Sequence, residues 1–208
     1  MGVPARDFAF QVQRAIEALT PKDFHRRVGH AKTLREEWYA IARLGLHFLQ
    51  PGLSVEVEVH GKDGAVDATI SETGFREREF HVEVSCTYSY EEALRDELMV
   101  GCGSAPGAGP IHRRKDRTIA AEVTAVDSGF QQARNARKLQ ERFLEKCGKK
   151  YPPNTILLLV HEDMTVGGWG YWRGLIDTLI SNGCKFQECQ FLSVFIINTS
   201  TNELQQVK

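Results

Sequence analysis

The chain has 208 residues, of which 42% are hydrophobic and 25% are charged, and its formal net charge is −1. This composition is typical of a water-soluble globular protein with its own core, and it confines any nucleic-acid surface to a local patch. Five cysteines without a CxxC pair, no apolar leader and no apolar run of about 20 residues predict reduced thiols, a cytoplasmic location and no membrane partner.

Amphipathic helices are predicted in the first part of the chain. Apolar residues at helical spacing predict a first helix over residues 6–19. A second helix is predicted from Thr33, where Thr33 is the N-cap and Glu36, three residues on, completes a capping box. Residues 1–32 are therefore expected to form a helical segment that precedes the core.

Three strands are predicted to follow. The segment LSVEVEVH alternates valine and glutamate, AVDATI forms the second strand after a turn at 62–64, and REFHVEVSCTY forms the third. Alternation places Phe80, Val82 and Val84 on one face of the third strand, and His81, Glu83 and Ser85 on the other.

Residues 90–127 are predicted to be an insertion. Its helix, YEEALRDELMV, is followed by the glycine-rich loop GCGSAPGAGP, the basic run IHRRKDR and a further strand candidate, TIAAEVTAV. These elements interrupt the core between its third strand and its next helix.

The rest of the core is predicted from residue 127 onward. Asp127 or Ser128 caps a long helix, and the continuous apolar run TILLLVHED predicts a strand buried on both faces. A helix, GYWRGLIDTLIS, and a last strand, FLSVFIINTS, follow, while the polar tail TNELQQVK is expected to fray.

The elements together predict one α/β domain over residues 1–208, with a mixed sheet flanked by helices. The core comprises residues 33–89 and 128–199, and the insertion comprises residues 90–127. The core order is helix, three strands, insertion, helix, strand, helix and strand.

Two acids on neighbouring strands, Asp67 and Glu83, are candidate metal ligands. Carboxylates at short range repel each other unless a cation lies between them, and oxygen-rich sites favour Mg²⁺ or Mn²⁺. Glu37, or its rival Glu36, is a candidate third ligand from the preceding helix. The alternatives are that Asp67 bonds the backbone of the turn, and that Glu83 pairs with Arg134, Arg137 or Lys138.

This element order, with Asp67 on the second strand and Glu83-Val84-Ser85 on the third, resembles the PD-(D/E)XK nuclease-like (restriction-endonuclease-like) superfamily. The resemblance covers roughly residues 33–161 without the insertion. It implies a restriction-endonuclease-like core and metal-dependent hydrolysis of phosphodiesters in DNA or RNA, by endonuclease or exonuclease action.

The motif lysine of that superfamily is replaced here by Ser85, which can hydrogen-bond a water molecule but carries no positive charge. The resemblance therefore implies Asp67, Glu83, Ser85 and a recruited cation as catalytic residues. Lys138 is the first candidate for that cation and Arg134 the second, since they share one face of the long helix.

Nucleic-acid binding is predicted at Arg113, Arg114, Lys115 and Arg117, together with Arg134. An ordinary solvated loop is the alternative for the run at 113–117. At the level of function, the alternatives are a catalytically inactive binding or assembly module with the same fold and, less favoured, an enzyme acting on small molecules. A homodimer is left open.

Overall fold

A computed structural model of the chain describes residues 2–27, 29–61, 64–107, 109–125, 127–162 and 169–208, with only the backbone of Ser128 and Trp169. Two residues of the predicted turn at 62–64 lie outside this description. Within the described part of the chain, no helix is both long and apolar enough to cross a membrane.

The helices lie close to their predicted positions. They are α1 (Ala5–Glu17), α2 (Pro21–Arg26), α3 (His30–Thr33), α4 (Tyr39–His47), α5 (Tyr90–Cys102), α6 (Ser128–Cys147) and α7 (Trp169–Ser181). A π-helical segment, Leu34–Trp38, joins α3 to α4, and a 3-10 turn spans Phe186–Glu188.

Seven strands form one sheet and two form a small hairpin among the described residues. In chain order they are β1 (Val3–Pro4), β2 (Leu53–Val59), β3 (Ala68–Gly74), β4 (Arg78–Cys86), β5 (Ile111–Arg113), β6 (Ile119–Ala121), β7 (Thr155–His161), β8 (Ser193–Asn198) and β9 (Glu203–Gln206). The large sheet has the order β1-β2-β3-β4-β7-β8-β9, and β5 pairs with β6.

The large sheet is mixed, because β2, β3 and β4 form an antiparallel meander whereas β4, β7 and β8 are parallel. Apolar residues of α1 and α4 pack on one face, and those of α6 and α7 pack on the other. Strand β7 is buried along its whole length, as its apolar run predicts. The predicted α/β class is therefore confirmed.

The predicted start of the second helix is wrong. The helical run begins at His30 after Gly29, so that Thr33 is an internal helical residue with φ −58° and makes no side-chain cap. Glu36 therefore does not complete a capping box. It lies in the π-helical segment with 7% of its surface exposed.

Two boundaries of the sheet also differ from prediction. Strand β3 begins at Ala68, which places Asp67 immediately before the strand and not within it. The tail does not fray, because residues 203–206 pair with β8, while Leu204 packs against the core and Trp172 donates a hydrogen bond to Glu203 at 3.0 Å.

The insertion contains more structure than its sequence predicts. Its helix extends to Cys102, and the basic run begins with strand β5, which pairs with β6 outside the main sheet. Among the described residues of the predicted strand TIAAEVTAV, only 119–121 are extended in this way. After the insertion, Asp127 caps α6 by accepting a hydrogen bond from the Phe130 amide at 2.7 Å, as predicted.

Candidate functional site

The candidate site lies where β3 diverges from β4. The ladder between these strands ends at the pair Ala68 and Val82, whereas β4 continues beside β7 to Cys86. Beyond this point the Asp67 carboxylate bonds the backbone of β4, since its Oδ2 accepts a hydrogen bond from the Val84 amide at 2.7 Å. Asp67 thus caps an amide of β4, and among the described residues its carboxylate makes no hydrogen bond to the turn near Gly64, the alternative role predicted for it.

Asp67 and Glu83 lie on the α6 side of the sheet. Ala68 and Val82 belong to the core on the opposite side, so alternation turns the residues next to them toward α6. The pKa of Asp67 is raised, first by burial and also by the negative charge of Glu83; the hydrogen bond from Val84 opposes this rise. The two carboxylates are therefore close enough to interact electrostatically.

Glu83 is held by two side chains from the end of α6 and the segment after it. Its Oε1 accepts hydrogen bonds from Lys146 Nζ at 2.5 Å and from the Tyr151 hydroxyl at 3.2 Å. Burial, followed by the negative charge of Glu83, raises the pKa of Tyr151, which keeps its hydroxyl protonated as a donor. Glu83 is therefore a fixed carboxylate with a lysine counter-charge.

A cavity of about 420 Å³ adjoins this pair. Ser85 from β4 and Lys146 from α6 line it, and Glu36 and Glu37 enter it from the π-helical segment. Single-turn π-helical distortions are frequent at functional sites. Asp67 and Glu83 lie beside the cavity and contact it through Val84 and Lys146, which are among its lining residues.

Glu36 is a buried acid with an unsatisfied oxygen. Its Oε1 has no hydrogen-bond partner among the described residues, and Lys32 lies 3.9 Å from Oε2. Burial raises the pKa of Glu36, and the positive charges of Lys32, Arg27 and Arg35 oppose that rise. Of the two rival ligands, Glu37 is the less buried.

Lys138 and Arg134, the predicted substitutes for the motif lysine, do not pair with Glu83. Lys138 Nζ lies 2.6 Å from Glu92 Oε1, and Arg134 Nη2 lies 2.5 Å from Glu91 Oε2. The lysine that contacts Glu83 is Lys146, eight residues beyond Lys138 on the same helix. The four-residue spacing that favours Lys138 continues to Lys146, so the sequence does contain a signal for this residue.

The predicted nucleic-acid residues of the insertion lie at the β5–β6 hairpin. Arg113 is on β5 and pairs with Glu97, the Arg114 amide donates to the Thr118 carbonyl at 2.8 Å, and Arg117 has φ 69°. All four basic residues from 113 to 117 are exposed apart from these contacts. Binding of nucleic acid by this hairpin stays a prediction.

Asp67 and Glu83 are the carboxylates of this site that could hold a divalent ion such as magnesium. No cluster of three or more His, Cys, Asp or Glu side chains that could hold a metal occurs in the described ranges. Magnesium is bound in many sites by one or two carboxylates and retains several water molecules. Asp67 Oδ1 and Glu83 Oε2 accept no hydrogen bond from described residues, which leaves one oxygen of each carboxylate for such an ion.

Comparisons with protein-family models, with curated proteins and with solved structures gave no significant match. A functional assignment consequently depends on the residues and geometry described above.

Proposed function

We propose that the protein is a metal-dependent phosphodiesterase of the nuclease kind that acts on DNA or RNA. The proposal assigns Mg²⁺ or Mn²⁺ to Asp67 and Glu83, with Glu36 or Glu37 as an additional acid facing the adjoining cavity. The observation that carries it is the contact between Lys146 and Glu83. This contact supplies a positive charge beside the position where Ser85 replaces the motif lysine.

The element order supports the same proposal. In chain order, α4 is followed by the meander β2-β3-β4, by α6 and by β7, which lies parallel to β4. This is the order on which the resemblance to the PD-(D/E)XK superfamily depends. The two acids stand at the point where the second and third strands of that meander separate.

Each residue has a defined task in this proposal. Asp67 is oriented by the Val84 amide, and Glu83 is oriented by Tyr151, so both carboxylates are preorganised without a rearrangement. The positive charge of Lys146 stabilises the negative charge that develops on the phosphate in the transition state. The Ser85 hydroxyl, on the same face as Glu83, can hydrogen-bond the attacking water.

The ion itself would polarise a phosphate oxygen and lower the pKa of water. The test is a cleavage panel with labelled single-stranded and double-stranded DNA and RNA, in Mg²⁺, in Mn²⁺ and in EDTA. Cleavage that requires the divalent ion, and that Glu83→Gln abolishes, is the expected result. Absence of cleavage on every substrate by a folded protein would reject the proposal.

A second candidate is a catalytically inactive binding or assembly module. The observation that favours it is that Glu83 already has two internal partners, Lys146 and Tyr151, and so needs no ion for its charge. A manganese titration separates the two candidates. Saturable Mn²⁺ binding that Asp67→Asn removes supports the phosphodiesterase, whereas its absence together with retained nucleic-acid binding supports the module.

A further inference from the structure

One side of α6 carries a row of partly buried cations that ends at the candidate site. Arg134, Lys138, Arg142 and Lys146, here called the basic stripe, recur every four residues and therefore lie along one side of the helix. At about 1.5 Å per residue they span about 18 Å. Lys146, at one end, contacts Glu83.

Two adjoining cavities follow the basic stripe. The first, of about 420 Å³, contains Lys146 and Arg142, and the second, of about 430 Å³, contains Arg142, Lys138 and Arg134. Tyr88, Arg142 and Glu145 line both, so the two cavities adjoin each other along the helix; together they are here called the α6 groove. The segment Thr87–Glu91 forms its opposite wall.

We propose that the α6 groove holds a single strand of nucleic acid, with its phosphates along the basic stripe and its reacting phosphodiester beside Asp67 and Glu83. This inference rests on the proposed function and assigns its substrate class. A charged groove combined with aromatic side chains is the usual arrangement for binding a single strand. Tyr90, which is 65% exposed on the opposite wall, offers a surface on which a base can stack.

The depth of the cations favours a single strand over a duplex. The side chains of Arg134, Lys138 and Lys146 are only 17%, 15% and 15% exposed, whereas that of Arg142 is 43% exposed, so three of the four cations are recessed. A single strand can insert its backbone between a helix and a short segment of chain. A duplex, whose two backbones are held apart by paired bases, is expected to reach these recessed cations less well.

Each cation of the stripe has a glutamate partner in the free protein. Arg134 pairs with Glu91 and Arg142 pairs with Glu145, at 2.5 and 3.0 Å, and these two glutamates are 48% and 43% exposed. The Arg142–Glu145 pair is exposed on both sides, and such pairs contribute at most about 1 kcal/mol. A phosphate can therefore replace Glu145 as the partner of Arg142, and each phosphate that the stripe neutralises makes binding dependent on salt.

The test measures binding in EDTA, so that the result does not depend on cleavage. Fluorescence anisotropy compares a labelled oligothymidylate with a blunt duplex of the same number of phosphates over a range of salt concentrations. We expect the single strand to bind more tightly. The slope of log K against log salt is negative. In the double variant Lys138→Gln/Arg142→Gln, its magnitude should decrease by about 1.4, or about 0.7 for each phosphate that is no longer neutralised.

Matched variants control for folding and for general charge. Arg173→Gln/Lys185→Gln removes two cations that are 75% and 70% exposed outside the groove, and it should leave the slope unchanged. Glu145→Gln should tighten binding, because it removes a competing carboxylate; this gain cannot result from misfolding.

Three outcomes would each reject the proposal that the α6 groove binds a single strand. They are equal or tighter binding of the duplex, no binding of the strand at low salt, and the same slope in the stripe variant and its control. The proposed function is judged separately. Strand binding in EDTA without any metal-dependent cleavage rejects the phosphodiesterase and leaves the groove standing. Metal-dependent cleavage, together with a salt slope of binding that is unchanged in the stripe variant, rejects only the proposal about the groove.

Discussion

Lys146 lies at the last turn of α6 with its Nζ 2.5 Å from Oε1 of Glu83, a residue of β4. The two side chains are 15% and 11% exposed. A largely buried ion pair is sensitive to the loss of one partner, because the remaining charge keeps its desolvation cost without its compensation. The contact therefore links the stability of the fold to the chemistry proposed for it.

Lys146→Gln is expected to reduce the rate of metal-dependent cleavage by about 10²- to 10³-fold, the effect of removing one preorganised group that stabilises transition-state charge. Single-turnover rates at saturating Mn²⁺ measure this step without a contribution from ion affinity. The same variant should lose about 1–3 kcal/mol of unfolding free energy, because Glu83 loses a charged donor.

Lys185→Gln is the control for Lys146→Gln, since Lys185 is exposed and pairs with nearby Glu188 at 3.0 Å. Its cleavage rate and stability should match those of the wild type. A Lys146 variant that cleaves at the wild-type rate would show that Lys146 does not supply the charge that Ser85 lacks.

Asp67→Asn and Glu83→Gln are each expected to weaken Mn²⁺ binding at least tenfold, since each removes a charged oxygen from the pair. Free Mn²⁺ can be counted by electron paramagnetic resonance during a titration. The amide side chain of each variant keeps an oxygen that can accept the hydrogen bonds now made by Val84 and Lys146, so both variants should fold.

Glu72→Gln is a matched control for these two variants. Glu72 is on β3 and belongs to the opposite face, where Arg76 and Arg78 hold its carboxylate at 2.8 and 2.9 Å. It should bind Mn²⁺ like the wild type and lose roughly 3 kcal/mol of stability, as expected when one member of a buried pair is changed. Unaltered Mn²⁺ affinity in all three variants would show that Asp67 and Glu83 do not bind the ion.

Local patterns in the sequence are sufficient to predict the parts of the site that depend on one element. Strict alternation in β4 turns Glu83 and Ser85 away from Phe80, Val82 and Val84, and an uninterrupted apolar run identifies β7. These signals arise because the burial of one or both faces of a strand determines which of its side chains are apolar.

The contacts that complete the site depend on how separate elements meet. Lys146 reaches Glu83 only because α6 crosses back over the parallel pair β4 and β7, and the helix periodicity alone does not say which of its turns lies there. Strand β9 is not predicted for a different reason. It pairs with β8 through backbone groups at a sheet edge, and the polar side chains of the tail give no sign of this pairing.

Tyr151→Phe tests whether the hydroxyl contact to Glu83 positions that carboxylate. The change removes one hydrogen bond of 3.2 Å and leaves the ring packed near Phe191. We expect a loss of about 1 kcal/mol of stability and a reduction of about tenfold in Mn²⁺ affinity, typical of residues that orient a metal ligand. Tyr39→Phe, which removes a hydroxyl bonded to Asn202, should not alter Mn²⁺ affinity. Equal affinities in both variants would limit Tyr151 to a packing role.

Glu36→Gln is expected to make the protein more stable than the wild type at pH 7, by about 1 kcal/mol, because an ionised carboxylate with an unsatisfied oxygen is then no longer buried. Burial raises the pKa of Glu36 in the folded protein, whereas the unfolded chain ionises near the ordinary value of about 4.3. As the pH rises from that value through the folded pKa, ionisation stabilises the unfolded state first, and the wild type loses stability.

The advantage of Glu36→Gln should therefore disappear below the ordinary glutamate pKa, which urea unfolding at pH 4 and pH 7 can measure. Glu97→Gln is a control of opposite sign. Arg113 lowers the pKa of Glu97 by hydrogen bonding, so this variant should be less stable than the wild type at pH 7 and approach it at pH 4. An advantage of Glu36→Gln that is the same at both pH values would mean that its charge is not the cause. A loss of cleavage in the more stable Glu36 variant would indicate that this acid serves function at the expense of stability.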